Sequence, residues 1–234
     1  MSERINPLEI LEYEREVDSY IQYVYSKKKE NPPSIDYNLE SAIDFIETRA
    51  KFYSNIITKE LLALQEEHIS YFASLDKRLK QRDRIIEKVK QKMEVDKMSV
   101  RDAVNSICDV LRFTIIIDDK VYIAKVDEYL RKIEDFGYSV NRFKNVWGNE
   151  FYQGINVQFI DRDGFKFEVQ FHTPNGYAIK EGKLRDVYNI IRDESSPKDL
   201  VHKSNIIRKY YQGQIRVPEG ALEYQYESNS KKRG

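Results

Sequence analysis

The sequence has little of several features that would assign a chain quickly to a class. Its single cysteine, Cys108, excludes an internal disulfide framework and a thiolate zinc cluster, and it favours a reducing compartment. With 9 glycines and 6 prolines in 234 residues, the chain is neither collagen-like nor of low complexity. No apolar run approaches the roughly 20 residues that span a bilayer, and the first residues lack a signal-peptide pattern. We therefore expect a cytoplasmic protein that binds no membrane, although a dedicated secretion machine could still export it as an effector.

An excess of charge of either sign is also missing. Lys and Arg number 39 and Asp and Glu number 39, so no global field draws the chain onto nucleic acid or an anionic surface. Any polyanion must therefore meet a local basic patch. What is present, 41% hydrophobic and 33% charged residues, is typical of a folded domain with an appendage, or of two small domains.

The apolar spacing predicts helices in the first part of the chain. A helix or helix pair is expected over 1–30, and Asn31-Pro32-Pro33 then breaks the pattern. Amphipathic helical spacing returns over 38–72, and a second helix, rich in basic residues, is expected over about 75–93. We take residues 1–36 as an N-terminal helical extension.

The pattern changes to that of a sheet near residue 110. Predicted strands cover 110–117, 138–146, 155–160 and 165–171, and predicted helices cover 122–136, 176–192 and 199–212. This order predicts an α+β fold: one sheet of about four to five strands flanked by helices. The domain boundaries are expected at 37–192, with a C-terminal helix and frayed tail over 193–234.

Three polar residues alternate along the last predicted strand. Because strand side chains alternate between faces, Glu168, Gln170 and His172 share one face, and Phe167, Val169 and Phe171 share the other. One interpretation is an antiparallel sheet with a solvated face. The other is a cleft lined by a carboxylate and two hydrogen-bonding groups, in which Glu168 could hold a hard cation.

A second acid, Asp109, begins the first predicted strand of the sheet, three residues before Arg112. It could be an ordinary turn or cap residue. If its strand neighbours that of Glu168, the two carboxylates could converge on one Mg²⁺, which favours one or two carboxylates together with water and substrate phosphates.

Basic residues are dense in the predicted helix over 75–93. They could grip a triphosphate, or they could form a solvated face that the interleaved acids Asp76, Asp83 and Glu87 neutralise. The basic residues are Arg78, Lys80, Arg82, Arg84 and Lys88. Tyr152, on the approach to a strand, could stack on a base, although most of the 17 tyrosines must be packing residues.

Taken in this order, the segments resemble the synthetase (nucleotidyltransferase) domain of the RelA/SpoT family, most clearly over 76–181. The segments Asp109-Val110-Leu111-Arg112-Phe113-Thr114 and Phe167-Glu168-Val169-Gln170-Phe171-His172-Thr173-Pro174 resemble a divergent phage- and toxin-associated branch most closely. The resemblance implies a nucleotidyltransferase-like mixed sheet and a metal-binding, catalytic role for Glu168.

The resemblance also implies roles for other residues. Asp109 would join Glu168 as catalytic residue and Mg²⁺ ligand. The implied ATP-binding residues are Arg78, Lys80, Arg84, Lys88 and Arg112. The implied acceptor-binding residues are Tyr152, Asn156, Gln170, His172 and Lys180.

Several positions depart from the family pattern. Arg84 replaces a serine, and Ile107 occupies the usual metal-aspartate position, so that Asp109 is assigned by assuming a local deletion. Gln153 and Asn156 replace an arginine and a histidine beside the acceptor, and His172 replaces an arginine. These departures concern guanine-nucleotide specificity more than phosphate chemistry.

The activity that the resemblance implies is ATP-dependent pyrophosphokinase: transfer of the β,γ-diphosphate of ATP to the ribose 3′-hydroxyl of a guanine nucleotide. Two alternatives are a toxin-type enzyme acting on an adenine nucleotide or a tRNA 3′ end, and a silent nucleotide-binding or interaction module. The N-terminal helices carry no histidine–aspartate metal set, so we expect no alarmone hydrolysis. They could instead bind an antitoxin or a second copy of the chain.

Overall fold

The structure is a computed structural model that describes residues 9–10, 12–17, 19, 37–149 and 152–228. These residues are divided between two compact units. The sheet unit comprises Ile35–Trp147, Gly154–Thr173 and Pro218–Gly234, and the helical unit comprises Met1–Ser34, Gly148–Gln153 and Pro174–Val217. Most of the N-terminal extension predicted over 1–36, with its proposed antitoxin or homo-oligomer contact, lies outside the described residues.

A single five-stranded mixed sheet organises the sheet unit and confirms the predicted α+β class. Its strands are β1 (Ser70–Ala73), β2 (Arg112–Ile117), β3 (Ser139–Asn145), β4 (Ile155–Ile160) and β5 (Lys166–His172). The strand order is β1-β2-β5-β4-β3, in which β2 and β5 are parallel and the other neighbours are antiparallel. The parallel β2–β5 pair lies at the centre, which sets the predicted site strands side by side.

Helices of the sheet unit precede and connect the strands. They are α1 (Tyr37–Leu62), α2 (Arg82–Val95), α3 (Val100–Ser106) and α4 (Tyr122–Asp135). Helix α3 was not predicted, although Ser99 caps it by accepting a hydrogen bond from the Asp102 backbone N–H at 3.1 Å.

The hydrophobic core lies against one face of the sheet. Phe113, Val157, Val169 and Phe171 lie on that face and are at most 1% exposed. Helix α4 contributes Tyr129, whose ring centroid lies 6.0 Å from that of Phe171. The opposite face of the sheet is therefore left for polar side chains.

Two predicted elements of the sheet unit are wrong in detail. The helix expected over 38–72 ends at Leu62, and β1 follows after a turn in which His68 has a φ of 63°. This short strand pairs with Thr114–Ile117 of β2, and Tyr71 and Phe72 are residues that favour a strand. Residues 75–81, also expected to be helical, form a 3₁₀ turn (Leu75–Lys77) and an extended approach to α2.

A C-terminal segment (218–228) returns to the sheet unit. The Asn145 side-chain amide donates to the carbonyls of Ala221 and Tyr224 at 2.6 and 2.9 Å. The rings of Tyr224 and Tyr226 both pack against Phe143, at the sheet edge formed by β3. Within the described part of the predicted tail, Ser228 is buried and donates a hydrogen bond to Glu134. The residues after Ser228 lie outside the described part.

The helical unit has a core of its own. Its described helices are α5 (Pro174–Ile179), a π-helical turn (Lys180–Leu184), α6 (Arg185–Arg192) and α7 (Lys198–Gln212). Ile10 and Val17, in the described part of the N-terminal extension, are helical and pack with Val187, Ile190 and Ile207. The predicted boundaries at 36 and 192 stay a prediction. Within the described ranges, none of the helices is long and apolar enough to cross a membrane.

Candidate functional site

Strand β5 carries the polar row that the sequence predicts. Phe167, Val169 and Phe171 have no exposed surface, whereas Glu168 is half-buried on the other face. The alternation is therefore confirmed, but the interpretation as a solvated face is wrong because Gln170 is 6% exposed and His172 is not exposed at all. Gln170 donates from Nε2 to Oε1 of Glu168 at 2.6 Å and thereby orients the carboxylate.

Strand pairing extends this polar row across the sheet. Glu168 lies in register with Arg112 on β2 and with Gln158 on β4. Gln170 lies in register with Asn156 on β4. Because residues paired in register point to the same face, four of the predicted site residues (Arg112, Asn156, Glu168 and Gln170) share one surface.

Asp109 reaches the same region through the segment that precedes β2. Leu111 forms an isolated antiparallel bridge with Leu79. On either side of it, the Lys80 N–H donates to the Val110 carbonyl at 2.9 Å, and the Arg112 N–H donates to the Arg78 carbonyl at 2.8 Å. This short ladder sets the basic segment beside the acid.

Two ammonium groups hold the Asp109 carboxylate. Nζ of Lys80 lies 3.0 Å from Oδ2, and Nζ of Lys88, on α2, lies 2.8 Å from Oδ1. The Asp109 side chain is 13% exposed, so its carboxylate is shielded from solvent, whereas the Lys88 side chain is 38% exposed. We call these three residues the lysine–aspartate cluster.

Burial and charge shift the pKa values in this cluster. Burial acts to raise the pKa of the Asp109 carboxyl, but the charges and hydrogen bonds of Lys80 and Lys88 outweigh it, so the pKa lies below its ordinary value. Burial lowers the pKa of the Lys80 ammonium, and the field of Asp109 offsets only part of that effect. The cluster therefore stays charged even though burial disfavours the charged forms of Lys80 and Asp109.

The remaining arginines of the predicted phosphate set have other contacts. Nε of Arg78 donates to Oγ of Ser54 at 2.7 Å, and its Nη1 donates to the Leu75 carbonyl at 2.8 Å. Arg84 pairs with Glu87, one helical turn away on α2, at 2.8 Å. Of the predicted basic residues on this segment and α2, the structure thus brings Lys80 and Lys88 to Asp109 and directs Arg78 and Arg84 to structural partners.

The surroundings of Cys108 connect the two predicted acids. Burial raises the pKa of its thiol, and charges on Lys166, Asp109, Lys88 and Glu168 act on the same group. The backbone brings the segments that carry these acids together, because the Glu168 N–H donates to the Leu111 carbonyl at 3.0 Å, two residues after Asp109. Sequence reasoning missed Lys166 there, although its place two residues before Glu168 predicts the same strand face.

The donors present fit a divalent cation in their chemistry. Asp109 and Glu168 supply carboxylate oxygens, the ligand type that Mg²⁺ prefers, beside cations that suit a phosphate-bound metal. Because each Asp109 oxygen contacts an ammonium, a metal ion there would displace one, and a triphosphate would give that ammonium a new partner. Among the described residues, no group of three or more His, Cys, Asp or Glu side chains forms a protein-only metal cage.

The predicted acceptor residue His172 lies deep at the end of β5. Gly154 packs against it so closely that an added Cβ would lie 2.8 Å from the Phe171 carbonyl oxygen and 2.9 Å from Nδ1 of His172. Contact between an acceptor and this fully buried ring would need the strand end to open.

Tyr152 and Lys180 lie in the helical unit, and the structure brings them together there. Nζ of Lys180 is 5.2 Å from the centroid of the Tyr152 ring and 5.8 Å from that of Tyr177. A cation held over the tyrosine face fixes the ring without covering both sides of it. Their predicted role in binding an acceptor stays a prediction.

Comparison with known proteins gave structural matches only. No family model and no curated protein matches the sequence. The Type VI effector Tas1, solved with its immunity protein, is 16% identical, with a TM-score of 0.47 over 75% of this chain and 98% of that chain. A GTP pyrophosphokinase family protein from Streptococcus pneumoniae is 14% identical, with a TM-score of 0.42 over 82% and 100%.

Small alarmone synthetase 1 from Bacillus subtilis, bound to its product pppGpp, is 9% identical, with a TM-score of 0.40 over 76% of this chain and 89% of that chain. These three matches are a Type VI effector, a GTP pyrophosphokinase family protein and a small alarmone synthetase. At such identities and TM-scores, the likeness carries no conclusion about activity.

Proposed function

We propose that the chain is a Mg²⁺-dependent pyrophosphokinase that transfers the β,γ-diphosphate of ATP to a ribose 3′-hydroxyl. The proposal rests on one observation: the segment that carries Asp109, with Lys80 and Lys88 on its carboxylate, runs directly into β2, where Arg112 lies in register with Glu168. A structural ion pair needs one cation for each acid. Here Lys80, Lys88 and Arg112 lie beside only two acids, Asp109 and Glu168. The excess positive charge is available to bind a phosphate chain.

The residues of the polar face have separate tasks in this reaction. Lys80, Lys88 and Arg112 bind phosphate oxygens, where the charge of the transferred group is concentrated. Glu168, oriented by Gln170, accepts the proton of the attacking 3′-hydroxyl. The 3′-oxygen forms a bond to the β-phosphorus, the bond from that phosphorus to the α,β-bridging oxygen breaks, and AMP leaves with that oxygen.

A bound Mg²⁺, held by Asp109 and Glu168, would supply charge neutralisation at the phosphate oxygens. The lysines then do more than hold the resting carboxylate. When the Lys80 ammonium moves from Asp109 to a phosphate oxygen, it exchanges one anionic partner for another, and because its side chain is 19% exposed, much of its desolvation has already occurred. Through this exchange, nucleotide binding frees an oxygen of Asp109 from its ammonium partner.

The proposed acceptor is a guanine nucleotide, and one observation favours a second candidate. In the family pattern that the motifs resemble, an arginine stands at the position of His172, whose ring is fully buried here. A ring with no exposed surface cannot contact an acceptor phosphate unless the strand end opens. This favours a toxin-type reaction on another acceptor, either an adenine nucleotide or the 3′ end of tRNA.

The direct test incubates the purified chain with Mg²⁺ and ATP labelled in the γ-phosphate, and with GDP, GTP, ATP or tRNA as separate acceptors. We expect AMP release together with labelled product on one acceptor class. Label on tRNA or on an adenine nucleotide would select the second candidate. Absence of AMP release with every acceptor would contradict the proposal and favour a silent nucleotide-binding or interaction module.

Glu168→Gln is the decisive variant, because it keeps the shape of the side chain and removes the proton-accepting and metal-binding charge. We expect a loss of transfer of at least about 100-fold, measured as AMP release, without a change in the thermal unfolding midpoint. Glu60→Gln is the matched control, since Glu60 accepts a hydrogen bond from Tyr138 away from the site. Retained transfer in Glu168→Gln would refute the assigned role.

A further inference from the structure

Both oxygens of the Asp109 carboxylate are in contact with cations. Nζ of Lys80 lies 3.0 Å from Oδ2, and Nζ of Lys88 lies 2.8 Å from Oδ1. These are the distances of charge-assisted hydrogen bonds, and little of the carboxylate faces solvent. A divalent cation that coordinates either oxygen therefore has to compete with an ammonium group.

Cations outnumber acids around this carboxylate. Arg112 lies in register with Glu168 on the neighbouring strand, and Lys166 lies two residues before Glu168, about 7 Å away on the same face of β5. Together with the lysine–aspartate cluster, these residues carry four positive and two negative charges. Their repulsion of a free divalent cation is only partly screened, because the Debye length is about 8 Å at physiological ionic strength.

The backbone keeps both lysines beside Asp109. The Lys80 N–H donates to the Val110 carbonyl at 2.9 Å, which fixes Lys80 next to the segment that carries the acid. Lys88 comes from α2, and this helix is anchored to the core by Ile85, which has no exposed surface. An ammonium group can therefore leave Asp109 only by a movement of its own side chain. The Lys88 side chain, 38% exposed against 19% for Lys80, is the less confined of the two.

We propose that Lys80 and Lys88 block the metal position of the free chain, so that Mg²⁺ binds there only together with a phosphate chain. This inference rests on the proposed function, which assigns Asp109 and Glu168 as the metal ligands. A triphosphate brings negative charge that cancels the local excess of cations, and its oxygens give the displaced ammonium a new partner. Nucleotide and metal therefore raise each other's affinity for the chain by the same factor.

Binding of Mn²⁺, used in place of Mg²⁺, tests the block on the full chain without nucleotide. The electron paramagnetic resonance signal of free Mn²⁺ falls as the ion binds, so a titration gives its affinity. We expect Lys88→Met to bind Mn²⁺ at least about 10-fold more tightly than the wild-type chain, because the variant removes one competing cation and its charge. Lys92→Met is the matched control: Lys92 lies one turn further along α2, pairs with Asp96 at 3.7 Å, and should leave Mn²⁺ binding unchanged.

Two further variants locate the gained ion and repeat the comparison. Lys88→Met/Asp109→Asn should lose the gain in Mn²⁺ affinity, because it removes the carboxylate that Lys88→Met frees. Lys88→Gln removes the same charge with a polar side chain and should show the same gain as Lys88→Met. Equal Mn²⁺ affinity of the wild-type chain and both Lys88 variants, or a gain that survives Asp109→Asn, would overturn the proposal.

Calorimetric titration with an ATP analogue that has a methylene group between the α- and β-phosphorus atoms separates this inference from the proposed function. The wild-type chain should bind the analogue in EDTA, because the phosphate oxygens meet the excess cations without a metal, and Mg²⁺ should tighten that binding. Binding with Mg²⁺ that EDTA abolishes would overturn the block by Lys80 and Lys88. Absence of binding both with and without Mg²⁺ would instead contradict the proposed function, and the Mn²⁺ titrations would still test the block.

Discussion

Asp109 is the residue on which the electrostatics of the site depend. Its two oxygens contact different lysines, one from an extended segment and one from α2, so it also ties two elements together. The sequence predicted the acid and the basic residues, but it could not predict their pairing. That pairing depends on the Leu79–Leu111 bridge, a contact between two leucines that no local pattern indicates.

Removing Lys80 should destabilise the fold, because the shielded Asp109 carboxylate then keeps only one of its two ammonium partners. We expect Lys80→Met to lower the free energy of unfolding in urea by about 1–3 kcal/mol. The double variant Lys80→Met/Asp109→Asn should lose less than the sum of the two single variants, since it removes the uncompensated charge. Additive losses would show that the two side chains are not coupled in solution.

Gly154 should tolerate no side chain. It has a φ of +152°, and an added Cβ would meet the Phe171 carbonyl oxygen at 2.8 Å. We expect Gly154→Ala to lower the free energy of unfolding by about 1–3 kcal/mol. Gly182→Ala is the control, because nothing lies within 4 Å of the Cβ it would add and its φ is not in the left-handed region. Equal stability of the two variants would contradict the close approach.

At the scale of elements, the strands of the site were predicted well and the elements around them less well. Strands β2, β4 and β5 are apolar on one or both faces, and their period of two is readable without tertiary information. Strand β1 was predicted as helix because its four residues become a strand only through pairing with β2. Helix α3 was missed because its seven residues are too short for a clear helical period.

The C-terminal segment is held by hydrogen bonds that need neutral tyrosines. Tyr224 donates to Oδ1 of Asp127 at 3.0 Å, and Tyr226 donates to Oε2 of Glu134 at 2.6 Å. Burial raises the pKa of Tyr224 above its ordinary value of 10.0, and the Asp127 charge and hydrogen bond raise it further. The pKa of Tyr226 is raised likewise, first by burial and then by its bond to Glu134.

These shifts predict a loss of stability in alkali. A pKa that is higher in the folded state stabilises the fold fully below the unfolded value, and the contribution is lost as the pH rises through the folded pKa. The stability advantage of the wild-type chain over Tyr224→Phe should therefore be constant below about pH 9 and shrink above about pH 10. Urea unfolding at both pH values measures it. An advantage that does not change with pH would contradict the raised pKa.

At the scale of the molecule, the single sheet and the order of its elements could be predicted from the sequence. The assignment of chain segments to two compact units could not. The helical unit collects segments that are far apart in sequence, among them α6, α7 and the described residues near the N-terminus. Asn31-Pro32-Pro33 marks the first crossing between the units, but a break in the helical pattern does not show that the residues before it pack with segments beyond residue 174. Val187 and Ile190 show the reason: their burial depends on Ile207, beyond the boundary predicted at 192.

A fragment spanning 37–192 should therefore be much less stable than the full chain. It retains the five strands but lacks α7, which buries Leu200 and Ile207 against α6, and it lacks the C-terminal segment that covers Phe143. Each buried aliphatic side chain that loses its packing lowers the free energy of unfolding by about 2–5 kcal/mol. Two such losses are a large part of the stability of an ordinary domain. Limited proteolysis and thermal unfolding of the fragment, beside a fragment spanning 37–228, measure the effect. Because 37–228 restores both missing pieces, it should resist protease better. Equal resistance would show that the residues after 192 are dispensable for folding.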